Sequence, residues 1–411
     1  MRRSVLTLAV VLSSVMTLAW RPASGATITV NSLSDPGSAG ICTLRDAVQA
    51  ANTDTAVNGC TAGSGDDTID LTGVTGTVTL TGGDLATSSN ITINGPGASL
   101  LAIDGNHLSG VFDVTAGALT LTNLTIQNGT ALGGGGIFID SGATAIATNC
   151  TLNGNSSSVG VGGGIYNRGT ATLTNCTLTG NSTGPGGSGG GIFSKGTVTL
   201  TNCTLSGNSA ATGGGIYNGG TATLANTIVA NSPSGGDCEN SGIVTDNGHN
   251  LIQDAANTCG LTNGTNGDIV GFDPVLGPLA DYGGPTQTLA LLTGSPAIDA
   301  GDPIVCAAPA VNNVDQRGAP RAFPGDPICD IGAYEFGALL PLGDACSLST
   351  QCASGLCLRG VCTPPSGAAP ALSPLMLVAL IGILLTAGLA GLRSERSAAT
   401  KAEVAEHTHC R

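Results

Sequence analysis

Aromatic residues make up only 3% of this 411-residue chain and charged residues only 10%. With so few rings, a core has to be closed by small and medium side chains packed in layers, which argues against a globular core built on Phe, Tyr and Trp. Basic residues are scarcer than acidic ones. Between Thr27 and Pro374, 24 acidic residues stand against six basic ones, so nucleic acid and anionic lipid are poor partners. From Thr115 to Gly236 there is one acid, Asp140, with two cations, Arg168 and Lys195, and no histidine. No general acid and base pair can be assembled from that stretch.

Glycine is abundant, at 65 residues, and there are 14 cysteines. The two ends of the chain give the compartment. Arg2 and Arg3 precede an apolar run from Val5 to Trp20, and Ser24, Gly25 and Ala26 supply small residues for cleavage, the pattern of a Sec-type signal peptide over residues 1–26. Near the other end, Leu375 to Leu392 is an uncharged 18-residue run, rising about 27 Å as a helix and long enough to span a bilayer. Pro374 opens it, and Arg393, Arg396 and Lys401 follow it. This predicts a Pro-rich linker over 363–374, a transmembrane helix over 375–392 and a cytoplasmic tail over 393–411, with the N-terminus outside. The same pattern fits a sorting signal that is later cleaved.

Between the ends the chain repeats itself. Leu119-Thr-Leu-Thr-Asn123, a variant ending at Asn149, Thr170-Ala-Thr-Leu-Thr-Asn175, Val198-Thr-Leu-Thr-Asn202 and Thr221-Ala-Thr-Leu-Ala-Asn226 place Asn at intervals of 26, 26, 27 and 24 residues. Each interval also holds a Gly-Gly-Ile, at Ile137, Ile165, Ile192 and Ile216, followed directly by an aromatic residue. Leu and Thr alternate as in a strand, and the phase resets at each Asn. Asn tolerates left-handed backbone, so a bend with stacked Asn123, Asn149, Asn175, Asn202 and Asn226 explains the recurrence. The Asn-x-Thr triplets at Asn123, Asn149, Asn175 and Asn202 also read as glycosylation sequons. Each repeat is one coil, and the fold class predicted is all-β, a right-handed parallel β-helix over about 66–255. Inward columns follow: Leu121, Ala147, Leu173, Leu200 and Leu224; Leu124, Cys150, Cys176, Cys203 and Thr227; Ile126, Leu152, Leu178, Leu205 and Val229. Open solenoid ends need caps, expected here from residues 27–65 and 256–336.

The cysteines fall into two populations. Cys150, Cys176 and Cys203 substitute for Leu and Thr inside one column and read as buried free thiols. Cys42 with Cys60, Cys238 with Cys259 and Cys306 with Cys329 are neighbours in sequence and are paired on that ground. Cys346, Cys352, Cys357 and Cys362 lie within 17 residues. So short a module, 337–362, needs two disulfides to hold it, and its spacings argue against zinc.

Cys42-Thr-Leu-Arg-Asp-Ala47, leading into a short helix capped by Thr43, resembles the Cys-Ser-Leu-Arg-Glu-Ala-type motif of a group of bacterial surface proteins. These continue as a pectate-lyase-like β-helix and end in a choice-of-anchor domain. Similar to their distal block are Asp281-Tyr-Gly-Gly-Pro-Thr-Gln-Thr-Leu289, Gly294-Ser-Pro-Ala-Ile-Asp-Ala-Gly301, Asp315-Gln-Arg-Gly318 and Cys329-Asp-Ile-Gly-Ala-Tyr-Glu335. Thr43 and Asp46 depart from the motif. The resemblance spans about residues 27–336 and implies surface display, with no catalytic residue to carry over.

The function expected is that of an exported, membrane-anchored surface scaffold or adhesin, not an enzyme, with extracellular polysaccharide or surface proteins as partners. A carbohydrate-binding solenoid is the alternative, and a polysaccharide lyase or glycoside hydrolase the further one. Thr120, Thr122, Thr148, Thr172, Thr174, Thr199, Thr201 and Thr223 are expected to face outward as a flat array able to meet an ordered surface. No cofactor is expected, and Asp299, Asp315 and Glu335 either pin Arg317 or offer a calcium site.

Overall fold

A computed structural model describes residues 25–96, 101–256, 259–322, 327–343, 346, 349–353, 357–358 and 361–363. The apolar run of the signal peptide, the linker beyond Thr363, the membrane segment 375–392, the tail and Cys410 lie outside the described residues. No helix among the described residues is long and apolar enough to cross a membrane.

The repeat folds into a three-sided parallel β-solenoid. A first sheet of nine strands contains Ile91–Asn94, Ala118–Thr122, Thr144–Thr148, Thr170–Thr174, Thr197–Thr201 and Thr221–Ala225, each paired in parallel with the equivalent strand of the next coil. A second nine-stranded sheet holds Thr125–Gln127, Thr151–Asn153, Thr177–Thr179, Thr204–Ser206 and Ile228–Ala230. A third, of seven strands, holds Phe112–Val114, Ile137–Ile139, Ile165–Asn167, Ile192–Ser194, Ile216–Asn218 and Cys238–Asn240.

The register stacks Leu121, Ala147, Leu173, Leu200 and Leu224, and likewise Ile126, Leu152, Leu178, Leu205 and Val229. All ten are buried. Alternation of apolar and polar residues along each short strand produces this, because side chains on a strand point to opposite faces. Cys150, Cys176 and Cys203 are free and buried in the same core. Their thiols reach backbone carbonyls, Cys176 Sγ lying 3.4 Å from Ala147 O. Burial, and then the neighbouring Cys150 and Cys203, hold the Cys176 thiol well above its ordinary pKa.

The solenoid is longer than its repeat suggests. Thr27–Thr29 pairs with Asp67–Asp70 as the first strand of the first sheet, and Ile269–Val270 closes the second sheet beyond Leu251–Ile252. Helix α1, Leu44–Thr53, covers the first coil with Leu44, Ala47, Val48 and Ala51 buried, and Thr43 caps it by accepting from Asp46 N. The Cys42–Cys60 disulfide ties this plug down. Cys238–Cys259 lies at the far end.

Of the cap expected over 256–336, the first part does pack at the end of the solenoid, with Cys259 and Leu261 buried in its core and Ile269–Val270 added to the second sheet, but the distal block from Asp281 on does not sit over the open end. It runs along the flank, across the outward face of the second sheet. Thr286 Oγ1 donates to Asn149 O, Thr177 Oγ1 to Gln316 Oε1 and Ala333 N to Thr204 Oγ1, while His249 Nδ1 lies 2.8 Å from Ala300 O. The block carries helix α2, Pro303–Ala307, and the Cys306–Cys329 disulfide. The following module is held by Cys346–Cys357 and Cys352–Cys362.

Candidate functional site

Outward residues of the third sheet form an aromatic column. Phe138, Tyr166, Phe193 and Tyr217 follow directly on the inward Ile137, Ile165, Ile192 and Ile216, so they point to the opposite face, and the parallel register brings them into line. Ring centroids are 5.2, 5.4 and 4.8 Å apart; the first two pairs meet edge to face and the last is stacked. Such contacts hold the rings beyond what their burial supplies. The column ends in carboxylates, Asp113 beside Phe138 and Glu239 beside Tyr217. Burial, reinforced by Asp84 and Asp140, raises the Asp113 pKa. Lys195 lies 5.7 Å from the Phe193 centroid, and Arg168 pairs with Asp140 at 3.2 Å.

The threonine array is less open than expected. Thr120, Thr122, Thr172, Thr199 and Thr201 are half-buried and Thr174 is buried, so the row is not one continuous exposed face. Thr122 Oγ1 is spent on Asn94 Oδ1 at 2.8 Å.

The asparagine bends have the left-handed backbone, with φ of 57°, 53°, 50°, 50° and 47° at Asn123, Asn149, Asn175, Asn202 and Asn226. A side-chain ladder, however, joins only Asn149 Nδ2 to Asn123 Oδ1, at 3.3 Å. The distal block takes two of the others: Asn175 Nδ2 donates to Val314 O and its Oδ1 accepts from Arg321, and Asn226 Nδ2 donates to Asp302 O. Asn202 is fully buried with neither Nδ2 nor Oδ1 partnered. The continuous ladder is a different one. Asn155 Nδ2 donates to Asn181 Oδ1 at 3.0 Å and Asn181 Nδ2 to Asn208 Oδ1 at 2.9 Å, all inside the core. Its signal was present in Gly154-Asn155, Gly180-Asn181 and Gly207-Asn208.

The distal acids do not gather around one arginine. Asp315 alone takes the Arg317 guanidinium, at 2.6 Å, and Arg317 reaches only the backbone carbonyl of Glu335. The Glu335 carboxylate faces Arg321 at 3.4 Å instead, and Asp299 contributes only its backbone N–H, to Asp330. Two of these three acids are thus paired with guanidinium groups, Asp315 with Arg317 and Glu335 with Arg321. The Glu335 side chain is fully buried and its Oε1 has no partner. Burial, and then the Asp330 charge, push its pKa up to about 9 against the pull of Arg321. In the module, three sulfurs lie within 4.8 Å of one another, those of Cys346, Cys352 and Cys362. All three are in disulfides, Cys346 with Cys357 and Cys352 with Cys362.

The family profile described as right handed beta helix region matches residues 18–178 and again residues 109–269, overlapping matches that together span more than half of the chain. The chain belongs to the right-handed β-helix family. As in the family description, the coils are right-handed, and the two overlapping matches reflect the internal repeat. No curated protein and no solved structure matches this β-helix protein.

Proposed function

We propose that this β-helix is an exported, non-catalytic surface protein that acts as an adhesin, with the aromatic column of the third sheet as its contact face. The observation that carries the reading is the column itself. Phe138, Tyr166 and Tyr217 are half-buried and set in line on a rigid sheet around the buried Phe193, and aromatic anchors on rigid elements are what binding faces enrich. Ten cysteines in five disulfides support an oxidising compartment outside the cytoplasm. The Cys42–Ala47 motif and the distal block support surface display through their resemblance to surface proteins. The uncharged run 375–392 supports a membrane anchor.

The test is adhesion by cells that carry the full chain. Antibody should label intact cells, and Tyr166→Ser with Tyr217→Ser should abolish attachment without reducing that label. Attachment unchanged by the double variant, or turnover of pectin or alginate by the purified chain, would overturn the reading.

A further inference from the structure

Asp67 opens the strand Asp67–Asp70 and is only 1% exposed. Its Oδ1 accepts from Ala26 N at 2.9 Å and from Ser64 N at 2.8 Å. Its Oδ2 has no hydrogen-bond partner among the described residues and lies against Gly63, where any side chain would collide with it. No lysine or arginine among the described residues pairs with this carboxylate. Arg45, on the helix that plugs the first coil, is committed to Asp35 at 2.6 Å. Asp66 and Asp70 on either side add charge of the same sign. A carboxylate buried this deeply and held only by neutral backbone N–H groups is short of countercharge.

We propose that the export signal is removed between Gly25 and Ala26, and that the α-ammonium so created is the counterion of Asp67. This rests on the export reading of the first residues and shortens by one residue the segment that small residues alone suggest. Hydrolysis of the Gly25–Ala26 peptide bond consumes one water, leaving a carboxylate on Gly25 and an amine on Ala26. That amine is protonated at neutral pH, since α-amino groups titrate at about 8. The nitrogen 2.9 Å from Asp67 Oδ1 then carries a full positive charge and N–H groups enough to serve both carboxylate oxygens.

Small residues permit two cuts. Ala23 and Gly25 precede Ala26, and Ser24 and Ala26 precede Thr27, in each case at the two positions where a signal peptidase needs them. The fold separates the two. Ala26 is half-buried and belongs to the first coil, its O accepting from Thr68 N at 2.8 Å and its N donating to Asp67. A chain beginning at Thr27 would strip both bonds and place its ammonium on an exposed residue one step along the strand. Gly25, on the far side of the proposed cut, is exposed and contributes no hydrogen bond to the sheet. Processing and folding are thereby linked. While the leader is attached, Ala26 N is a neutral amide; once it is cut, the first coil gains an ion pair. The carboxylate raises the pKa of the amine, the direction opposite to that of burial alone. The pair therefore holds the first strand fully below a pH of about 8 and releases it as the pH rises through the raised value.

The experiment starts from the full chain, exported by a bacterium from its own leader, recovered and sequenced from its amino end. The reading should begin Ala26-Thr-Ile-Thr29. Acetylation of the α-amine is then followed against pH by mass spectrometry of the N-terminal peptide. Its midpoint should lie at least about one pH unit higher in the native protein than in guanidine, about a tenfold difference in the reactive fraction. Asp67→Asn, which keeps an acceptor for Ala26 N, should bring the native midpoint down to the guanidine value, and the wild-type comparison stands even where that variant does not fold. A chain that begins at Thr27, or at any other residue left by a cut, would overturn the proposal and leave export standing. A chain that still carries Met1 would overturn both. A start at Ala26 with a native midpoint at or below that in guanidine would reveal an amine without an ion pair, and would equally refute it.

Discussion

Gln316 Nε2 donates to Thr151 Oγ1 at 2.9 Å, although 165 residues separate the two. The same amide also reaches Thr286 Oγ1 at 2.7 Å and Cys150 O, while its oxygen accepts from Thr177. One fully buried side chain thus fastens the distal block to two coils. Gln316→Leu strands these groups without water, so it should destabilise by about 2–4 kcal/mol in urea unfolding. Amide exchange should show faster opening over 281–336 before the coils respond. Uniform protection in the variant would show that the block is held by other contacts.

Glu335 sets a pH dependence. Its pKa rises from an ordinary 4.5 to about 9 in the folded chain. Folding therefore favours the protonated form, and its contribution is complete below pH 4.5 and declines as the pH rises towards 9. Glu335→Gln keeps the shape and removes the titration. The variant should gain on the wild type in thermal stability as the pH is raised from 5 to 9, and a constant difference across that range would refute the assignment.

Asp268 acts in the same direction over a lower window. Burial, and then the Asp246 charge, raise its pKa from 3.8 to about 6 despite hydrogen bonds from Asn250. Stability from the protonated form is lost as the pH climbs through 6. Asp268→Asn should be more stable than wild type at pH 7, by about 2 kcal/mol, and indistinguishable from it at pH 3.5.

The asparagine bends differ in what their side chains do, and substitution should separate them. Glycine accepts a positive φ without strain. Asn175→Gly leaves Arg321 and Val314 O short of a partner, whereas Asn202→Gly removes an amide whose own polar atoms are unsatisfied. The first should cost about 1–2 kcal/mol more than the second in chemical unfolding. Equal losses would mean that packing rather than polar satisfaction dominates at both bends.

The buried thiols should be silent until the solenoid opens. Cys150, Cys176 and Cys203 are fully buried, and a thiol with a raised pKa, as at Cys176, has little thiolate to react. Peptide mass spectrometry after maleimide treatment should find all three unlabelled in the native protein and labelled in guanidine. Native labelling of Cys176 at neutral pH would contradict the core packing.

The coils could be read from the sequence because each position has an inward or outward sense fixed by strand geometry, and the same sense returns after 24 to 27 residues. Leu173 and Leu178 announce themselves that way, as do Ile165 and the outward Tyr166. The aromatic column was visible as a motif, but its alignment depended on register. The distal block offers no such period. Which face it covers is decided by the fit of Gln316, Ala333 and Asp302 to individual coils, so it read as an end cap and proved to be a flank. For the same reason Glu335 read as a partner of Arg317. Turn geometry sends its carboxylate to Arg321, four residues further on. The cleft that Thr77, Ala102 and Thr125 form with Asp281 and Gln287 exists only because that block stops where it does, and nothing local marks the place.

A bare solenoid is a one-dimensional object in which each coil answers mainly to its neighbours, so it can fray from either end one repeat at a time. Here Thr286, Val314, Ala333 and Asp302 bond to four different coils, at Asn149, Asn175, Thr204 and Asn226. Opening any one of them must disturb a single strap that also grips the rest. The middle of the protein should consequently melt as one cooperative unit, with a mechanical load on it shared across coils that do not touch.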